Sequence, residues 1–130
     1  MSETSGQMVG IERSLVLSES RHSSGTDIAT VRQSRDGDLV LYCTTSGYAV
    51  MMMIGEDVRE YRRWCTVAAD DVPRLVGDPA TALEAVRDAV VVADDGNPGT
   101  NESAKIEARF AEWLRAREVP FTSRTEDYEG

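Results

Sequence analysis

The stretch GDLVLYCTTSGYAVMMMIGEDVREYRRWCTV, residues 37–67, decides the fold. Three segments within it, 38–44, 48–54 and 58–67, are rich in Val, Leu, Ile, Tyr and Trp, side chains that suit a pleated, half-buried surface. Two short polar breaks, Thr45-Ser46-Gly47 and Gly55-Glu56-Asp57, separate them, and each carries the Gly that a tight hairpin loop uses for positive φ. The reading is a β-meander of three strands with 48–54 in the middle.

Upstream, residues 11–17 place Ile11, Leu15 and Leu17 on one face by period 2, with Arg13 breaking the pattern, and read as a strand. The Ser-rich run 18–25 reads as a hairpin loop. Residues 27–33 resume extended character, and Arg35-Asp36-Gly37-Asp38 supplies an Asp-Gly turn into the meander.

Beyond Val67 the period changes to helical. Asp70, Asp71 and Pro73 suit the first turn of a short helix that Gly77 closes. Asp78-Pro79 is a second start signal, Asp as cap and Pro at the first helical position, ahead of a stripe of Leu83, Val86, Val90 and Ala93. The β-branched run Val90-Val91-Val92 reads equally as helix end or strand. After the loop 94–99 comes the clearest helix, with Ile106, Phe110, Trp113, Leu114 and Arg117 on one stripe. Glu102, Lys105, Glu107, Arg109, Glu112 and Arg115 are turned away. Val119-Pro120-Phe121-Thr122 reads as a short edge strand or an extended return.

The expected fold is therefore α+β, an antiparallel five- to six-stranded β-meander sheet with two or three helices, the C-terminal helix packed on one face. Residues 1–10 are expected as a flexible tail, 11–124 as a single domain and 125–130 as a flexible acidic tail. The net charge of −9 is uneven: nine acids face seven arginines through Val67, and fourteen acids face seven bases from Ala68 on. Such a balance repels nucleic acid and favours solubility or a basic partner. No apolar run approaches the ~20 residues of a membrane span, and the first residues lack a secretory pattern, so membrane association is not expected and a cytoplasmic location is.

The ordered set Gly37-Asp38-Leu39-Val40-Leu41, Glu60-Tyr61, Thr66-Val67, Asp71-Val72-Pro73-Arg74-Leu75, Phe110, Trp113-Leu114 and Val119-Pro120-Phe121 resembles a family of small, uncharacterised bacterial proteins, mainly actinobacterial. The likeness covers residues 11–124. Family members carry more acidic residues around the Tyr, where this chain has Arg59, Arg62, Arg63 and Trp64. The run Met51-Met52-Met53 also departs from the pattern. The resemblance implies a fold and no activity.

No cofactor or metal motif is present in the sequence. His22 is the only histidine and lies in the Ser-rich run, poorly suited to hold a nucleophile and base in register. Cys43 and Cys65 read as buried thiols, with a disulfide or metal role as the alternative; a middle strand between them would put them too far apart to bridge. Asp70-Asp71 and Asp94-Asp95 are explained by helix-start and turn preferences.

The candidate binding residues are Tyr48, Met51, Met52, Met53, Arg59, Tyr61, Arg62, Arg63 and Trp64. Alternation sends Arg59, Tyr61 and Arg63 to one side of their strand and Glu60, Arg62 and Trp64 to the other. Strand 48–54 is apolar on both sides, which calls for covering by helices, a loop or a second subunit in a homodimer, or leaves an adaptable apolar surface exposed. Three functions are open. The first is a non-enzymatic acidic protein-binding module of immunity or antitoxin type. The second is a binder of small apolar molecules serving secondary metabolism, with a pocket near Met52 and Trp113. The third is an enzyme, for which Glu60 with Arg62 or Arg63 is the least poor pair.

Overall fold

Every strand of the sheet pairs with its neighbour in the chain. The computed structural model describes residues 12–22, 25–47, 58–93 and 100–129, with the side chains at 22, 58, 59, 128 and 129 outside that description. Five antiparallel strands, β1 (Arg13–His22), β2 (Gly25–Gln33), β3 (Leu39–Gly47), β4 (Val58–Val67) and β5 (Thr122–Glu129), lie in the order β1-β2-β3-β4-β5. Helices α1 (Ala82–Val90) and α2 (Ser103–Ala116) form one layer against the sheet, α1 over β1 and β2, α2 over β2 and β3. The α+β meander with its C-terminal helix on one face is what the sequence predicts.

Alternation decides which side chains meet the helices. Ala29 and Val31 of β2, Leu39, Leu41 and Cys43 of β3, and Cys65 and Val67 of β4 all point inward and are buried. Ile106, Phe110 and Leu114 of α2 and Leu83, Val86 and Val90 of α1 close the core from above. Each large side chain so buried contributes roughly 1.5–3 kcal/mol, so Phe110→Ala alone is worth about 3–5 kcal/mol once its cavity is counted.

Two turns depend on glycine. Gly37, at φ 98°, closes the β2–β3 turn, where its N–H donates to the Ser34 carbonyl at 2.9 Å. Gly25, at φ 145°, lies so close to β3 that a Cβ would fall 1.9 Å from the Ser46 carbonyl oxygen.

Helix boundaries follow the expected chemistry. Ala69–Arg74, with Asp70 and Asp71 in its first turn and Pro73 inside it, is a 3-10 turn. Asp78 caps the lead-in Pro79–Thr81, its carboxylate accepting from the Ala80 N–H at 3.0 Å. α1 stops at Val90 because Val91 is already extended. α2 ends in a Schellman arrangement: the Val119 N–H reaches the Leu114 carbonyl at 3.0 Å, the Glu118 N–H reaches that of Arg115 at 3.0 Å, and Glu118 sits at φ 55°.

The register corrects four expectations. β3 pairs directly with β4, Leu39 opposite Val67 through Ser46 opposite Glu60, so 48–54 is not a strand between them. Those residues lie outside the described ones. What misled was Thr45-Ser46-Gly47: the run looks like a turn but continues β3, its hydroxyls satisfied across the ladder by Asp27 and Thr26. Residues 18–22 of the Ser-rich run read as a loop are the far half of β1, which extends to His22 past a bulge between Val16 and Ser18; Gly25 opens β2, and 23–24 lie outside the described residues. The acidic end read as a loose tail is β5, where Glu126 sits opposite Arg62, so cross-strand charge stabilises an otherwise poor strand sequence. Of the segment 119–122 read as a sixth strand, only Thr122 lies in a strand, as the first residue of β5, and 119–121 lead into it. Residues 1–10 and the Asp94-Asp95 loop lie outside the described residues. No described helix is long and apolar enough to cross a membrane.

Candidate functional site

β4 carries the described candidates and divides them as alternation predicts. Arg63 points toward the helices and is 7% exposed, while Trp64 and the Arg62–Glu60 pair lie on the opposite side. Tyr48, Met51, Met52 and Met53 lie outside the described residues, as does the side chain of Arg59.

The inward side holds a polar network built from four elements. Arg63 Nη2 donates to Ser103 Oγ at 2.5 Å and to Thr45 Oγ1 at 3.3 Å, and Nη1 to Glu107 Oε1 at 3.4 Å. The two hydroxyls pass on the interaction: Ser103 Oγ donates to Asp27 Oδ1 at 2.6 Å and Thr45 Oγ1 to the same oxygen at 2.8 Å. Asp27 Oδ2 accepts the Ser103 N–H at 2.8 Å, so a carboxylate from β2 caps the start of α2. Arg63 Nε alone has no partner, and its guanidinium carbon lies 5.3 Å from the Tyr61 ring centre. A guanidinium, a carboxylate and two hydroxyls that each donate one way and accept the other form a lock that fixes α2 on the sheet. Glu107, expected to face away, is drawn inward by Arg63.

A second tie joins the two helices. Arg109, also expected to face away, donates to the Val90 carbonyl at 2.9 Å, to the Thr100 carbonyl at 2.8 Å and to Asn101 Oδ1 at 3.1 Å. Its charge meets the carbonyl end of α1, where a cation is favoured.

Cys43 and Cys65 lie on adjacent strands, since Cys43 faces Arg63 and Leu41 faces Cys65. No strand lies between β3 and β4, yet both thiols remain free. Burial pushes Cys43 up to about 12, against a smaller lowering by Arg63, and pushes Cys65 up to about 11. Burial therefore keeps both in the thiol form near neutral pH, where a thiol is a poor nucleophile.

The side of the sheet away from the helices has a different character. One row runs across all five strands, Val16, Thr30, Tyr42, Trp64 and Arg124, each opposite the next. The Tyr42 and Trp64 rings lie 5.2 Å apart, tilted at 34°. Arg32 stacks on Tyr42 with its guanidinium carbon 5.2 Å from the ring centre, and Arg124 on Trp64 at 4.1 Å. Val16 is 54% exposed at the β1 end of the row. The flanking row holds Glu19, Ile28, Thr44, Arg62 and Glu126. Among the described residues no helix packs on this side.

Glu60 and Arg62, the least poor enzyme pair, are on this outer face, where Arg62 Nε donates to Glu60 Oε2 at 2.5 Å. Arg63 is on the other side, so Glu60 and Arg63 do not converge. Within strand β4 the Glu60–Arg62 contact is a half-exposed ion pair of a kind worth about 0–1 kcal/mol.

The sequence reading picked out Trp64 but missed Tyr42, Arg32 and Arg124. Their common face follows from period 2 only once the register of β2, β3, β4 and β5 is known. No family model, no curated protein and no solved structure matches the chain.

Proposed function

We propose that this chain is a non-enzymatic binding module that holds a protein partner against the outer face of its sheet, in the cytoplasm, as small immunity and antitoxin proteins do. The observation that carries this reading is the row through Tyr42 and Trp64 with Arg32 and Arg124 stacked over its rings. Tyr, Trp and Arg dominate the energetics of protein interfaces because each presents a large, rigid apolar area with a polar edge. The inner face, by contrast, is committed to the core and to the Arg63 lock. Two unpaired thiols fit a reducing compartment.

The test is site-specific photo-crosslinking in the cells that make the protein. A benzophenone side chain placed at Thr30 or Val40, on the outer face, is expected to trap a discrete heavier species. The same group at Glu84, on the exposed side of α1, is expected to trap none. Adducts formed only from position 84, or from no position, refute the proposal.

A further inference from the structure

The geometry points to a partner that presents carboxylates: an acidic, extended protein segment gripped by Arg32 and Arg124. This inference rests on the proposed outer-face site and deepens it. Among the described residues, every ion pair of the protein leaves these two arginines out. Each holds its guanidinium over a ring, Arg32 over Tyr42 at 5.2 Å and Arg124 over Trp64 at 4.1 Å. A stacked guanidinium keeps its in-plane N–H edge open, and that edge is the fork that matches a carboxylate with two parallel bonds. The aromatic ring beneath holds the fork in place, so little side-chain freedom is lost on binding.

Charge supports the same partner. Among the described residues Arg32 and Arg124 make no ion pair, in a protein whose net charge is −9, and the two central rows of the outer face, through Val16 to Arg124 and Ser14 to Thr122, contain no acid. The ring-to-ring and ring-to-guanidinium distances bound the separation of the two guanidinium carbons at about 15 Å. An extended segment spans about 13 Å over four residues, so carboxylates at positions i and i+4, or nearer, reach both arginines. At about 0.15 M salt the acids elsewhere on the surface are screened beyond a Debye length of about 8 Å, so they leave carboxylates at this contact largely unopposed. Nucleic acid fits less well, because a ring that already carries a guanidinium offers no stacking platform for a base on that side.

The experiment uses poly-L-glutamate of about 20 residues as probe, with a dT20 oligonucleotide in parallel, at about 0.15 M salt. Binding is read from the emission of Trp64 in the full chain bearing Trp113→Phe, and sedimentation reports the oligomeric state. Saturable binding of poly-L-glutamate, weakened ten-fold or more by Arg32→Gln with Arg124→Gln while the melting temperature stays unchanged, is the expected result. Four results overturn the inference: no saturable change, equal binding by the double variant, preference for dT20, or a dimer dissolved by the same substitutions, which would make a second copy the occupant. If poly-L-glutamate fails while crosslinks from Thr30 and Val40 persist, the site stands and only the acidic partner falls.

Discussion

Replacing Ser103 by Ala tests the lock that joins α2 to the sheet. The hydroxyl is 1% exposed, donates to Asp27 at 2.6 Å and accepts from Arg63 at 2.5 Å. Alanine removes both bonds, fills nearly the same volume and introduces no new polar atom. Hydrogen bonds to charged groups contribute about 1.5–3 kcal/mol each. Asp27 keeps Thr45 and the Ser103 N–H, and Arg63 keeps Thr45 and Glu107, so neither charge is stranded. Alanine also gains up to about 0.7 kcal/mol of helix propensity. The balance is a loss of about 3 kcal/mol, or about 10 °C in Tm for a domain of this length. Urea denaturation followed by circular dichroism measures it, with Ser14→Ala, an exposed serine on the outer face, as the control expected within about 0.5 kcal/mol of the parent. A double-mutant cycle with Asp27→Asn is expected to show coupling above about 1 kcal/mol. A Ser103→Ala loss below about 1 kcal/mol, or no coupling, refutes the idea that this network fixes the helix.

Four further outcomes are expected. Cys43 and Cys65 resist a thiol reagent at pH 8 until the protein is unfolded; rapid native labelling contradicts the burial that raises both. Because burial raises the folded thiols to about 12 and 11, above the 9.0 of an exposed cysteine, their contribution to stability is complete below pH 9 and is lost as pH rises toward the folded values. Replacing both cysteines with Ala should flatten that decline in denaturation curves taken between pH 8 and pH 10.5, and an unchanged slope argues against it. Gly25→Ala drives a methyl into the Ser46 carbonyl and is expected to destabilise by about 2–5 kcal/mol, a reading lost if the melting temperature barely moves. Glu118→Gly relieves a left-handed residue at the end of α2 and should raise stability by up to about 1 kcal/mol, whereas a clear decrease means the cap is not strained.

How far the sequence could be read depended on whether local chemistry and tertiary pairing agreed. Asp78-Pro79 and the Ile106, Phe110, Leu114 stripe are local signals, and the structure keeps them where periodicity puts them. Thr45-Ser46-Gly47 and the Ser-rich half of β1 are polar segments whose strand character comes from ladder partners, information that composition does not hold. The same is true of Thr122–Glu129: its acids oppose a strand only until Arg62 is set across from Glu126. Arg63 was legible as a residue of one face, but its partners Thr45, Ser103 and Glu107, and Asp27 behind the two hydroxyls, come from three separate elements. Tyr42 and Arg124 were silent for the same reason, being neighbours of Trp64 across strands and not along one.

The strictly sequential strand order has a kinetic corollary. The first three ladders join segments that follow one another, whereas the β4–β5 ladder must wait for the chain from Ala68 to Phe121 to return across the sheet. Closing so long an excursion is the slow entropic step, so the final strand should zip on last. In pulse-labelled amide exchange, β2 and β3 would gain protection first. A chain still on the ribosome would meanwhile leave the free side of β4 open to any strand that reached it before its own C-terminus emerged.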